Sequence, residues 1–188
     1  PDVLTDAVAD LALFLVLASA RGTSSAEAAL RGGKWGRWAP TLFLGRSLKG
    51  LRLGIFGMGR IGQAVARRAS AFGMLVHYHN RTRLAEDKEY GARFHESLES
   101  LLSVSDVFCV CAPSKPQLKG SINVHRLALL PHGAIVVNVA RGDLIDEAAL
   151  FAAVRDGCVG AVGADVYCGE PNIDARWMEL PNATRLPH

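Results

Sequence analysis

Residues 51–80, LRLGIFGMGRIGQAVARRASAFGMLVHYHN, constrain this chain more than any other stretch. An apolar run comes first, then Gly57, Gly59 and Gly62 in G-x-G-x-x-G spacing, a helical pattern and a second apolar run. Together they fill about 30 residues, the length of a strand–helix–strand unit. Each glycine has its own mechanical reason. Gly57 permits the tight turn off the strand, Gly59 lets a backbone approach a pyrophosphate, and Gly62 lets the helix pack close to the sheet. The helix that follows presents unpaired N–H groups and the positive end of its dipole at the same place. A site for a dinucleotide is the reading this order of parts supports.

The remainder continues the alternation. The pattern predicts a helix over 5–21 with Thr5 or Asp6 as cap, and a second over 24–30. Residues 32–40 read as a loop whose Trp35 and Trp38 pack against something. Strand 51–56 leads to a helix over 60–72 with Ile61, Ala64, Val65, Ala69 and Phe72 on one face. Strand 75–79, a short strand at 92–94, a helix at 97–102 and strand 107–111 follow. Pro113 and Pro116 mark a loop. A helix at 123–130, strand 134–139, a helix capped by Asp146 and ending near 155, strand 159–166 and a short strand within 181–188 complete the chain. Short apolar runs separated by helices imply an α/β protein, a doubly wound parallel sheet of the Rossmann kind with an N-terminal helical arm. Residues 1–188 read as one dinucleotide-binding domain, with 1–45 as a helical interface arm and 46–188 as the Rossmann core.

Composition excludes several classes. At 188 residues the chain can bury one good core, and a net charge of +3 gives no argument for nucleic acid. The apolar run at 11–20 is bounded by Asp10 and Arg21, where a membrane span needs about 20 residues, and it lacks the basic start of a signal peptide. It reads as a core or interface helix, with no membrane partner. Cys109 and Cys111 fall on one side of a strand, while Cys158 and Cys168 stand alone. No cysteine or histidine spacing suits a metal, so reduced thiols in a cytoplasmic protein are expected. His77 and His79 alternate on a strand and, without nearby partners, read as packed residues. Because the chain begins at Pro1, it reads as a processed product or an excised piece.

At the end of the second strand an NAD site usually carries Asp or Glu, which bonds the ribose hydroxyls. Here Asn80 fills that place, followed by Arg81, Thr82 and Arg83. An amide removes repulsion toward a 2′-phosphate, and two guanidiniums supply charge-assisted bonds to it. NADP is therefore the expected cofactor, with NAD possible.

Hydride transfer to a carbonyl requires a proton donor and a cation for the substrate's carboxylate. NVARGDLID places Arg141 just after a strand, at the end where open α/β sheets bind ligands. ADVYCGEP places Glu170 after the last long strand, and LPNATRLPH ends on His188. With VLTDAVADLAL, GMGRIG and CAPSKPQLKGSIN in the same order, the chain resembles the cofactor-binding domain of the D-isomer-specific 2-hydroxyacid dehydrogenases over nearly its whole length. The YHNRTR stretch is similar to the glyoxylate and hydroxypyruvate reductase branch, which favours NADPH and a small 2-oxo acid as substrate.

The resemblance implies a catalytic set of Arg141, Glu170 and His188. Arg141 would hold the substrate's carboxylate and polarise its carbonyl. His188 would act as acid in reduction and base in oxidation, and Glu170 would orient the imidazole and stabilise its protonated form. Asp165 would hold the nicotinamide carboxamide, and Arg60 and Ile61 would touch the pyrophosphate. Ala112, Pro113, Val139, Ala140 and Arg141 would line the nucleotide cleft. Family members carry further segments on both sides that build a substrate domain, which is expected to be absent here. They also pair as homodimers, with the 11–20 helix and the arm bearing Trp35 and Trp38 at the interface. Two alternative readings remain open: a corepressor-like module sensing NAD(H), and an inactive truncated dehydrogenase.

Overall fold

The computed structural model describes residues 3–188. Helices α1 (Thr5–Arg21) and α2 (Thr23–Arg31) precede strand β1 (Arg52–Phe56), α3 (Arg60–Ala71), β2 (Leu75–His79) and β3 (Arg93–Phe94). Then come α4 (Leu98–Leu102), β4 (Val107–Val110), α5 (Val124–Leu127), β5 (Ala134–Asn138), α6 (Glu147–Arg155), β6 (Val159–Ala164), α7 (Arg176–Glu179) and β7 (Ala183–Arg185). The strands form one seven-stranded sheet in the order β3-β2-β1-β4-β5-β6-β7, with each neighbouring pair parallel. The chain therefore leaves β1 toward one edge and returns to build the other half beside it. That reversal between β1 and β4 opens a crevice at the carboxyl ends of the strands.

Alternation along each strand divides the core in two, because successive side chains point to opposite faces. Leu53, Ile55, Tyr78, Val107, Cys109, Ile135 and Val137 pack with α1 and α3 on one face. Phe56, Phe108, Val110, Val136 and Val162 pack on the other with Leu101, Leu127, Leu150 and Trp177. The ends of β1 and β4 are pinned by a forked ion pair. Asp106 accepts from Arg52 Nε at 2.9 Å, from Nη2 at 2.8 Å and from the Arg52 backbone N–H at 2.9 Å.

Element types follow the sequence pattern, and Asp146 caps α6 by accepting from Ala149 N–H at 3.1 Å. Four details differ. Helix α1 has Leu4 at its N-cap and no side-chain cap, so neither Thr5 nor Asp6 plays that part. Phe72 is 45% exposed, because α3 ends before it. His77 and His79 do have a partner: His95, beside the edge strand, meets His77 Nδ1 through its Nε2 at 2.9 Å. His79 Nδ1 lies 2.8 Å from the His95 carbonyl.

Helix α1 is built into the chain's own core, as the core reading allowed, and the fourth difference lies in the tryptophans beyond it. Ala9, Ala12, Leu15 and Val16 are fully buried, and a Cβ on Gly163 of β6 would stand 2.9 Å from Leu15 Cβ. The projecting part of the N-terminal region is α2, which buries no residue, together with 32–44, where Trp35 and Trp38 are exposed rather than packed. No single helix among the described residues is long and apolar enough to cross a membrane. The four cysteines are free thiols, with the Cys109 and Cys111 sulfurs 3.7 Å apart on one side of the sheet.

Candidate active site

The turn after β1 is shaped by backbone contact. Gly57 has φ +97°, and a Cβ there would stand 2.5 Å from Ala112 Cα and N, so the segment leaving β4 closes directly over it. A Cβ on Gly62 would stand 2.4 Å from the Gly57 carbonyl oxygen, which sets how near α3 lies to the strand. Gly59 differs from both, since a Cβ there would enter open space. It is also the N-cap of α3, whose first turn receives no side-chain cap. A backbone left bare, with uncapped helix amides facing it, fits the pyrophosphate of a dinucleotide.

That open space belongs to a cleft of about 430 Å³. Gly59, Arg60 and Ile61 line it from the glycine turn, Cys111, Ala112, Pro113 and Ser114 from the end of β4, and Val139, Ala140 and Arg141 from the end of β5. Three segments far apart in sequence thus meet at the crevice where the strand order reverses. Thr5 of α1 also reaches this cleft, a position sequence reasoning treated only as a cap.

Two braces that the sequence did not announce hold the cleft's far wall. Asn138, 5% exposed, donates from Nδ2 to the Arg141 carbonyl at 2.9 Å and accepts from Ala140 N–H at 3.1 Å. Ser114 Oγ donates to Asp143 at 2.9 Å, joining the segments beyond β4 and β5. Gly142 admits no side chain, since a Cβ would stand 2.0 Å from the Tyr167 carbonyl carbon. That close approach brings the 141–144 turn against the loop carrying Glu170.

Glu170 and His188 form a pair, with His188 Nδ1 and Glu170 Oε2 2.8 Å apart. Oε1 of the same carboxylate accepts from Tyr167 N–H at 2.6 Å. The terminal histidine is therefore held, although half of its side chain is exposed. Burial pushes the Glu170 carboxyl up, but the Tyr167 N–H, His188 and the Arg141 charge outweigh it and leave the group below the usual carboxylate range. Asp165, 8% exposed, shifts the other way: burial raises its carboxyl, His188 opposes this and Glu170 adds to it. Glu170 thus links the charges of Arg141, His188 and Asp165, and Arg141 is exposed on the cleft.

Asn80 stands at the end of β2. Its Oδ1 accepts from Met58 N–H at 2.7 Å, inside the glycine turn, so it braces the turn beside the place where an acidic residue is usual in NAD sites. Arg81 and Thr82 are exposed. Arg83 departs from expectation, because its guanidinium is forked onto Glu89 at 2.8 and 3.0 Å.

A parallel sheet wound in this order, with a bare glycine turn at its switch point, defines a dinucleotide-binding Rossmann domain. Residues 13–188 match the family model described as "D-isomer specific 2-hydroxyacid dehydrogenase, NAD binding domain", and the chain belongs to that family. Similar curated proteins include a glyoxylate reductase of Thermococcus kodakarensis, 45% identical, and a glycerate dehydrogenase of Hyphomicrobium methylovorum, 43% identical. Each match covers all of this chain, which spans 58% and 59% of those two relatives. Among solved structures, a 2-hydroxyacid dehydrogenase of Polaromonas superposes with TM-score 0.98 at 50% identity over the whole chain and 59% of its own. An NADPH-dependent glyoxylate/hydroxypyruvate reductase of Sinorhizobium meliloti, in complex with NADP and malonate, gives 0.90 at 38% identity over the whole chain and 58% of its own.

Proposed function

We propose that the chain binds NADPH and that the protein exchanges hydride between a 2-oxo acid and the corresponding 2-hydroxy acid, with glyoxylate or hydroxypyruvate as substrate. One observation carries this reading: the amide turn at Gly59–Ile61 and Arg141 line the same cleft, and the Arg141 charge reaches Glu170 of the Glu170–His188 pair. A bound nicotinamide would supply the hydride. Arg141 offers a fixed positive charge for the substrate's carboxylate and carbonyl oxygen. With Nδ1 of His188 committed to Glu170, Nε2 is the ring atom left to give a proton to the new alkoxide or take one from the alcohol. Glu170, kept ionised by its neighbours, fixes the ring's orientation. Asp165 is the acceptor for the carboxamide of the nicotinamide.

The choice of NADPH is supported by Asn80 in place of a carboxylate, by the exposed cation Arg81, and by the Sinorhizobium relative's complex with NADP. Calorimetric titration with NADPH and NADH tests it. Arg81→Ala should weaken NADPH roughly tenfold to a hundredfold, the worth of a charge-assisted hydrogen bond, and leave NADH within about twofold. Equal affinities in wild type and an unchanged mutant would refute the reading. These 188 residues alone should reduce glyoxylate poorly, because Arg141 and His188 lie open to water. The exposed apolar surface of Trp35, Trp38, Phe43 and Leu44 further supports a homodimer through the 23–44 region. Sedimentation as a monomer at micromolar concentration would count against it.

A further inference from the structure

The run Asn80-Arg81-Thr82-Arg83 reads in sequence as a single basic turn, but its two arginines are in different situations. Arg83 donates from Nε to Glu89 Oε1 and from Nη2 to Oε2, a forked pair. Glu89's side chain is only 7% exposed, whereas that of Arg83 is 63% exposed. Behind them lies Tyr78 of β2, fully buried, whose hydroxyl donates to Glu89 Oε1 at 2.6 Å and accepts from Leu84 N–H at 3.1 Å. The network closes a loop of chain upon itself. It joins β2 at Tyr78, the outgoing segment at Arg83 and Leu84, and the turn before β3 at Glu89.

Charge decides what such an arginine can do. A guanidinium already forked on a carboxylate has its two best-placed donors filled and its charge neutralised, so it makes a poor ligand for a phosphate. Arg81 has no such partner among the described residues. A nearly buried carboxylate, in turn, is retained at a cost unless its partners stay in place. Releasing Arg83 toward solvent would strand Glu89.

We propose that Glu89 is a positioning residue for cofactor choice: it withholds Arg83 from the nucleotide, ties 80–84 to β2, and thereby presents Arg81 and Thr82 to the 2′-phosphate. This rests on the NADPH reading above. If Arg83 were itself the phosphate ligand, Glu89 would be its competitor, and the two cases differ in sign at Glu89. Neutralising a tether weakens phosphate binding; neutralising a competitor strengthens it.

The test uses the 188-residue chain with adenosine 2′,5′-bisphosphate and 5′-AMP as probes, on wild type, Arg81→Ala, Glu89→Gln, Arg83→Gln and the Glu89→Gln/Arg83→Gln double variant. Arg83→Gln changes a side chain lying mostly in solvent, so it reports even if Glu89→Gln folds poorly. Glu89→Gln and Arg83→Gln should each weaken the bisphosphate about tenfold, the order of effect expected from lost preorganisation, and leave 5′-AMP within about twofold. The double variant should be no worse than the weaker single, because both remove one interaction. Hydrogen exchange over 81–88 should quicken in both. A merely structural defect would lower the melting temperature without changing the ratio of the two affinities. Tighter or unchanged bisphosphate binding by Glu89→Gln, or losses that multiply in the double variant, would overturn the proposal. Unchanged exchange would overturn the tether itself. Equal binding of both probes by wild type and Arg81→Ala would instead overturn the NADPH reading and remove the specificity role with it.

Discussion

The glycine turn allows binding and folding to be separated by adding one methyl group at either of two places. At Gly59 the added Cβ meets nothing within 4 Å, and the residue's φ of −78° suits alanine. Losing glycine at an N-cap costs about 0.5–1 kcal/mol, while the stiffer unfolded chain returns about 0.4–1 kcal/mol, so Gly59→Ala should fold nearly as well as wild type. The methyl does occupy the space a pyrophosphate needs. Displacing one or two charge-assisted bonds worth about 1.5–3 kcal/mol each should weaken NADPH at least tenfold. At Gly62 the Cβ would stand 2.4 Å from a backbone oxygen that cannot rotate away. Helix α3 must shift, at an overpacking cost of about 1–3 kcal/mol, partly offset by alanine's helix propensity. Gly62→Ala should therefore lose both stability and affinity. Differential scanning calorimetry gives the first quantity and isothermal titration with NADPH the second, with about 2–4 °C of melting temperature per kcal/mol at this chain length. Wild-type affinity in Gly59→Ala would refute the placement of the pyrophosphate on this backbone. A melting temperature lowered as far as in Gly62→Ala would refute the open space.

Two further predictions concern supports away from that turn. Asn138→Ala removes the bonds to the Arg141 carbonyl and from the Ala140 N–H, and should cost about 1–2 kcal/mol and loosen NADPH several-fold; an unchanged melting temperature and affinity would refute the brace. Arg52, outweighing burial, holds the Asp106 carboxyl below its ordinary 3.8, so the stability this acid contributes is present above about pH 4 and is lost as pH falls through its folded value. Since Arg52 is 39% exposed, solvent screening limits the pair to about 1 kcal/mol. Asp106→Asn should be less stable near neutrality and show a flatter acid limb in thermal melts between pH 7 and 3; a limb as steep as wild type would contradict this.

What was legible in the sequence was whatever repeats locally. The short apolar runs of β1, β4 and β5 were legible as strands, and their side chains divide between two faces, as Leu53 and Ile55 against Phe56 illustrate. Asp146, three residues before the amide it accepts from, was legible for the same reason. The failures lie where a partner is distant or its owner is ambiguous. Helix α1 is apolar on nearly every side, and composition alone cannot tell burial under one's own sheet from burial under a second chain; Gly163, 148 positions later, admits Leu15 and puts that side chain under the chain's own sheet. His77 found His95 only because the edge strand lies parallel beside β2. Arg83 resembles Arg81 in sequence, and only the fold sets Glu89 against it. Asn138 is missed for another reason: its partners, Ala140 and Arg141, are near, but it reads as one more residue of a strand.

The two halves of the site are held in different ways, and this bears on what the domain can do. The nucleotide end is set by backbone contact: Gly57 under Ala112, Gly62 against the Gly57 carbonyl, Asn80 on the Met58 N–H. Such contacts belong to the sheet and are as firm as its core. The proposed acid–base end rests on side chains near water, namely Arg141 exposed on the cleft and His188 held by one carboxylate. Positioning within about an ångström governs rate far more steeply than it governs binding. On the proposed reading, the same chain can hold a dinucleotide well while its Glu170–His188 pair is loosely aimed. Restoring order around Arg141 and His188, by substrate or by further protein, should raise turnover with little change in nucleotide affinity.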